Sequence, residues 1–198
     1  MLKYLFIAVL SVSGLSATAQ YAPENEAGLA AAQAGEWQMA WDIWKPLADA
    51  GDARAQSNIG VMYDSGEVVA EDGIEALRWF TLSAEGGFPT GQFNLARMYS
   101  EGKGVAQNFV IAARWLQVAA RQGHPQAQMS LMQAYYHGDG VTQDYGLAYM
   151  WMVIAAEGGH AEAVDNLADF EARIGKAAAV RGRDMAAKCL SIGLEYCL

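Results

Sequence analysis

Gly91-Gln92-Phe93-Asn94-Leu95-Ala96-Arg97-Met98-Tyr99-Ser100-Glu101-Gly102-Lys103-Gly104-Val105, followed by Ala112, Trp115, Ala120 and Gly123, is the passage that decides how this chain folds. Its wording returns 36 residues to either side. Tyr63, Tyr99 and Tyr135 share one register, as do Gly66, Gly102 and Gly138, and Ala76, Ala112 and Ala148. Trp79, Trp115 and Trp151 hold another, with Gly87, Gly123 and Gly159 closing each copy. A fixed period of this size is the mark of a solenoid of small supersecondary units. The first half of each copy runs from Ala55-Gln56, Gly91-Gln92 or Ala127-Gln128, through Ile59, Leu95 or Leu131, to the tyrosine.

Each copy reads as two helices. Gln92 to Ser100 forms the first, and Gly102 suits its C-terminal cap because glycine tolerates positive φ. Asn108 caps the second by accepting its free amides, a place held by Asp72 and Asp144 in the other copies. Asp72 with Glu75 has capping-box spacing. Phe109, Ala112, Ala113, Leu116 and Ala120 form an apolar stripe at helical spacing. Alanine at repeated positions lets paired helices approach, while the registered Trp and Tyr fill the wedge between pairs. No unit buries this surface alone, so the stack folds as a whole. The expected fold is all-α, a right-handed α-α superhelix of about ten helices with no strand.

These residues resemble the Sel-like repeat, a relative of the tetratricopeptide repeat. The shared pattern is Ala-x-x-x-Leu-Gly-x-x-Tyr-x-x-Gly-x-Gly-Val, then Ala-x-x-Trp, then Ala-Ala-x-x-Gly. Gly102-Lys103-Gly104-Val105 and Gly138-Asp139-Gly140-Val141 fit it best. The second unit departs with Gly66-Glu67-Val68-Val69, and its loop is expected to differ. Full units span 52–88, 89–124 and 125–160. Residues 24–51 form an N-terminal capping repeat, with the tight turn Ala34-Gly35-Glu36 in place of the long loop and Pro46 as a kink within its second helix. Residues 161–198 supply C-terminal capping helices, broken at Gly175, in which Lys176, Arg181, Arg183 and Lys188 add polarity.

Residues 1–19 read as an export signal, with Lys3, an apolar run from Tyr4 to Leu15, and Ala17-Thr18-Ala19 as cleavage site. The mature domain is then 20–198, periplasmic or secreted. The whole chain carries 13 basic and 22 acidic residues, net −9, and loss of Lys3 takes it to −10. That disfavours nucleic acid and anionic membrane surfaces, which attract clustered Lys and Arg. An apolar content of 53% with six Trp and nine Tyr excludes disorder. No later run is long enough to insert stably in a membrane.

Cys189 and Cys197 are the only cysteines. In one continuous helix they would stand about 12 Å apart, so a disulfide requires the helix to stop near Gly193 and the chain to fold back. Export favours the bond over two free thiols. His124, His137 and His160 show no metal-ligand spacing and read as turn or surface residues. No nucleophile elbow or phosphate loop is present, and no cofactor or metal is called for.

The resemblance implies partner binding on the inner curve, through exposed residues of the first helices. The candidates are Arg54, Ser57, Val61 and Asp64 in the second unit; Phe93, Arg97 and Ser100 in the third; and Met129, Gln133, Tyr136 and His137 in the fourth. Phe93, Met129 and Tyr136 are either apolar anchors on a wet face or groups packed on a neighbouring helix. Two function classes follow. One is a non-catalytic scaffold or adaptor gripping a peptide or protein segment in the cell envelope. The other is a β-lactam-binding or β-lactam-hydrolysing enzyme, by analogy with cysteine-rich exported relatives; those carry a cysteine pair in each repeat, and this chain has none there.

Overall fold

The computed structural model describes residues 22–197; the export segment read at 1–19 lies outside them. Among the described residues ten helices follow one another: α1 (Ala22–Gln33), α2 (Trp37–Asp49), α3 (Ala53–Ser65), α4 (Gly73–Glu85), α5 (Pro89–Glu101), α6 (Phe109–Arg121), α7 (Pro125–His137), α8 (Tyr145–Glu157), α9 (Ala161–Ile174) and α10 (Lys176–Ile192). Among the described residues a 3-10 turn, Leu194–Tyr196, follows α10, and no strand occurs. The helices stack as a right-handed α-α solenoid. Pairs α1–α2, α3–α4, α5–α6 and α7–α8 form hairpins, and each second helix packs on the first helix of the next unit.

The repeat is written into backbone needs. Gly66, Gly102 and Gly138 sit at φ 75, 72 and 85° and donate to Met62, Met98 and Ala134 carbonyls, closing the first helices. The loop then returns so that the amides of Asp72, Asn108 and Asp144 donate to the carbonyls of Tyr63, Tyr99 and Tyr135, at 2.8–2.9 Å. The side chains of those three residues cap α4, α6 and α8. The Asp72 amide is thereby taken, so the reciprocal half of the capping box is absent: Glu75 pairs with Arg78 at 3.0 Å instead. All three loops have the same length, the second included. There Val68 occupies the place of Gly104 and packs on the N-terminal core.

A second repeated device ties unit to unit. Gln56, Gln92 and Gln128 are buried, and their Nε2 donates to Ala48, Ala84 and Ala120 carbonyls near the end of the preceding helix, at 3.2–3.4 Å. These carbonyls lie where a helix runs out of its own donors. The corresponding place in α9 is Val164, which is exposed and has no side-chain amide to give.

The core is continuous but unequal. Ile59, Leu95 and Leu131 are buried, as are Trp79 and Trp151. Trp115, expected to fill the wedge as they do, is half-buried and bridges the central and C-terminal clusters from their edge. Pro46 does not interrupt α2, which runs through it to Asp49.

The chain leaves the repeat plan after α9. Gly175 turns it at φ 85°, ψ 152°, and α10 packs along α8 with little contact to α9. The crossing is a glycine contact: a Cβ on Gly182 would come 2.5 Å from the Gly146 carbonyl oxygen. Arg181 pairs with Asp144, and Arg183 donates to Glu171 at 2.8 Å and to the Tyr149 hydroxyl at 3.1 Å. The arginines read as terminal polarity are thus the clamps of α10. Gly193, at φ 98°, then reverses the chain, and Cys197 returns to Cys189 with 5.2 Å between Cα atoms to form the disulfide.

Candidate functional site

The sequence candidates fall on several surfaces. Arg54 lies at the start of α3, ion-paired to Glu26 at 2.8 Å, with its guanidinium 5.9 Å from the Phe88 ring centre. Ser57 is 1% exposed and belongs to the interior, which removes it from any wet face. Val61 is exposed in an apolar depression of about 280 Å³ between α1 and α3, beside Leu29, Trp37 and Trp44.

Asp64 and Arg97 hold each other. Arg97 donates to Asp64 Oδ2 at 2.5 Å and to Glu101 at 3.0 Å, while Lys103 Nζ reaches Asp64 at 2.7 Å and Glu71 at 2.7 Å. Burial opposes ionisation of Asp64, but the hydrogen bonds from Lys103 and Arg97 outweigh it and hold the carboxyl below its usual range. This network ties two units together and leaves its charges paired with one another. Ser100 caps back onto the Arg97 carbonyl at 2.9 Å. Phe93 is half-buried and stacks on His124, with ring centres 4.9 Å apart. His124 in turn caps α7, its Nδ1 accepting from the Ala127 amide at 3.2 Å, and burial lowers its pKa. His160 holds the same position before α9 and makes no cap bond.

Four candidates do converge. Met129, Gln133, Tyr136 and His137 line one side of a cleft of about 300 Å³ between α7 and α9. Met129 is nearly buried and forms floor, together with Met132, Met152 and Phe170. Tyr136 is half-buried, 5.4 Å from Phe170 between ring centres and 4.9 Å from His137. Gln133 and His137 stand exposed on the rim. The far rim belongs to α9: Glu162, Asn166 and Arg173. Sequence reasoning missed that side because the registered tyrosine and loop stop at His160. Leu167 continues the register of Ile59, Leu95 and Leu131, and carrying it on would have aligned Glu162 with Gln126 and Arg173 with His137.

The cleft is thus apolar beneath and polar along its edges, the build of a site that desolvates one or two side chains of a ligand and hydrogen-bonds the rest. No cluster of metal-ligating side chains occurs among the described residues.

The Sel1 repeat profile matches residues 53–88, 89–124 and 125–160, the three units in which the loop and glutamine devices recur. The chain belongs to the Sel1 repeat family. Among solved structures, this Sel1 repeat chain is similar to a Sel1 repeat protein from Oxalobacter formigenes, at 31% identity and a TM-score of 0.68, over 74% of this chain and 60% of that one. It is likewise similar to c5321, a protective antigen present in uropathogenic Escherichia coli strains displaying an SLR fold. That match has 31% identity and a TM-score of 0.70, over 87% of this chain and 39% of that one. The chain therefore spans 60% and 39% of the lengths of these two proteins. No curated protein matches it. Sel1 repeats mediate protein–protein interaction and are typically non-catalytic. No helix among the described residues is long and apolar enough to cross a membrane.

Proposed function

We propose that this Sel1 repeat protein is an exported, non-catalytic adaptor that holds a segment of another protein in the cleft between α7 and α9. The observation that carries the reading is the cleft itself, where Met129, Met132, Tyr136, Met152 and Phe170 lie beneath an accessible polar rim. A few desolvated aromatic and aliphatic groups dominate the energy of most interfaces. The rest of the inner face supports the choice, because Asp64, Arg97 and Lys103 are already spent on one another. Export to the cell envelope or beyond is supported by the signal-like residues 1–19 and by the Cys189–Cys197 disulfide, a bond that persists in oxidising compartments.

A photo-crosslinking amino acid placed at Gln133, on the rim, tests the reading in envelope extract from the producing cell. The expected result is one dominant adduct that is lost when Tyr136→Ala is added and is absent when the crosslinker replaces Ile74, exposed on α4. Equal labelling from Gln133 and Ile74 would remove the cleft as the binding face.

A further inference from the structure

Two ionic groups in the α7–α9 cleft have no ion-pair partner among the described residues. The Glu162 carboxylate, in the first turn of α9, makes no hydrogen bond or ion pair among the described residues; only its backbone carbonyl is engaged, by Asn166 Nδ2 at 2.8 Å. At the other end of α9, Arg173 has no carboxylate partner among the described residues. Its guanidinium lies over the Phe170 ring, 5.6 Å from the centre. By contrast Arg54, Arg78, Arg97, Arg181 and Arg183 are all ion-paired. Asp165 and Asp169, exposed on the same helix, do not line the cleft.

The spacing turns this into a specification. Glu162 and Arg173 are three helical turns apart, about 16 Å at 1.5 Å per residue. An extended chain covers that distance in about five residues. A helical ligand would need about eleven residues to span the same distance, more than twice as many. Between the charged ends lies the apolar floor of Met129, Met132 and Met152, with Phe170 and Tyr136 toward the Arg173 end.

We infer that the cleft reads an extended internal segment of a partner protein in which one basic and one acidic side chain stand about five residues apart with an apolar side chain between them. The base meets Glu162, the acid meets Arg173, and the apolar group enters the Met129–Tyr136–Phe170 floor. The inference rests on the cleft being the binding face and names what that face selects.

Short fluorescein-labelled peptides, serine apart from a central leucine and two flanking charges at this spacing, are titrated with the protein at low salt and read by anisotropy. The base–acid peptide is expected to bind about fivefold to tenfold tighter than the base–base or acid–acid peptide, as one exposed charge contact turned from attraction to repulsion allows, with the difference collapsing at high salt. Arg173→Glu should move the preference to the base–base peptide, and Glu162→Lys to the acid–acid peptide; neither outcome depends on which way the peptide runs. Both side chains are exposed, so circular dichroism melting should be unchanged. Equal affinities for all charge patterns, or no binding of any peptide, would overturn the inference. Tighter binding of a peptide whose only acid is its free C-terminus would overturn the internal-segment assignment. If charge is not read but leucine→serine peptides fail to bind, the cleft still holds a segment and only the charge rule falls. If leucine is equally irrelevant and the Gln133 crosslink is also missing, the adaptor reading falls with it.

Discussion

Among the described residues, the helix pairs at the two ends of the stack are sealed differently. At the N-terminus α1 and α2 keep the hairpin plan and seal themselves with large aromatics. Trp44 is buried against Gly28, its Nε1 donating to the Asn25 carbonyl at 3.4 Å, and Trp41 packs edge-on against Tyr63. Gln56 then ties the next unit to α2. At the C-terminus the plan is abandoned. Helix α10 bypasses α9, lies along α8 through Gly146 and Gly182, and is held by two arginines and a disulfide. Bypassed by α10 and without a tying glutamine, α9 keeps most of its surface in solvent and leaves the cleft beside α7 open. A terminal unit sealed by its own side chains offers a shallow apolar depression; one capped by a detour offers a cleft with charged edges.

The contrast predicts where the molecule breaks. The largest effect is expected at Trp151, 1% exposed beneath the C-terminal detour. Trp151→Ala should lower stability by about 3–5 kcal/mol in chemical denaturation, the usual loss for a large buried aromatic. Trp115→Ala, at the half-buried edge position, should lose roughly half as much. Equal losses would mean that the centre and the C-terminal end are one cooperative wedge after all.

Cys189→Ser with Cys197→Ser should remove about 2–3 kcal/mol, from the entropy of the short closed loop. Hydrogen exchange should show the loss concentrated in α10 with α1 to α4 still protected. Uniform loss of protection would argue that the detour supports the entire stack.

Glycine substitutions sharpen the comparison next. Gly182→Ala meets the backbone of α8, which has nowhere to move, and should destabilise by about 2 kcal/mol as an overpacked contact. Gly28→Ala meets the indole of Trp44, a side chain that shifts more readily, and should cost less. The reverse order in thermal unfolding would mean that the N-terminal seal is the more rigid one.

The smallest effect concerns His124, whose Nδ1 must be unprotonated to cap α7. Its folded pKa lies below the unfolded value of 6.5, so its contribution is present above pH 6.5 and is lost as pH falls through that value toward the folded one. Wild type should lose about 1 kcal/mol, the worth of a helix cap, relative to His124→Asn between neutral and mildly acidic pH. Asn retains the acceptor without titrating, so parallel pH profiles for the two proteins would show that the cap does not depend on the imidazole.

Much of this was legible in the chain itself. The 36-residue register located three hairpins, the glycine caps at Gly66, Gly102 and Gly138, and the Asp72, Asn108 and Asp144 caps, while the spacing of Cys189 and Cys197 located the turn at Gly193. Such features are local: each concerns a backbone group and a residue a few positions away, so spacing alone encodes them. Register also put Ser57, Phe93 and Met129 in one row, yet the first is interior, the second stacks on a histidine and the third is floor. Which of a row faces water depends on what the neighbouring helix places opposite it, and that neighbour belongs to another unit. The use of Arg181 and Arg183 as clamps, the pairing of Asp64 with Arg97, and the meeting of Glu162 and Arg173 with Met129 and Tyr136 across one cleft all join residues more than ten positions apart. The sequence by itself determined the repeat, because hydrogen-bond closure and apolar period are short-range. Only the tertiary structure decided the cleft, because the direction taken by α10 after Gly175 settles which face of α9 is left uncovered.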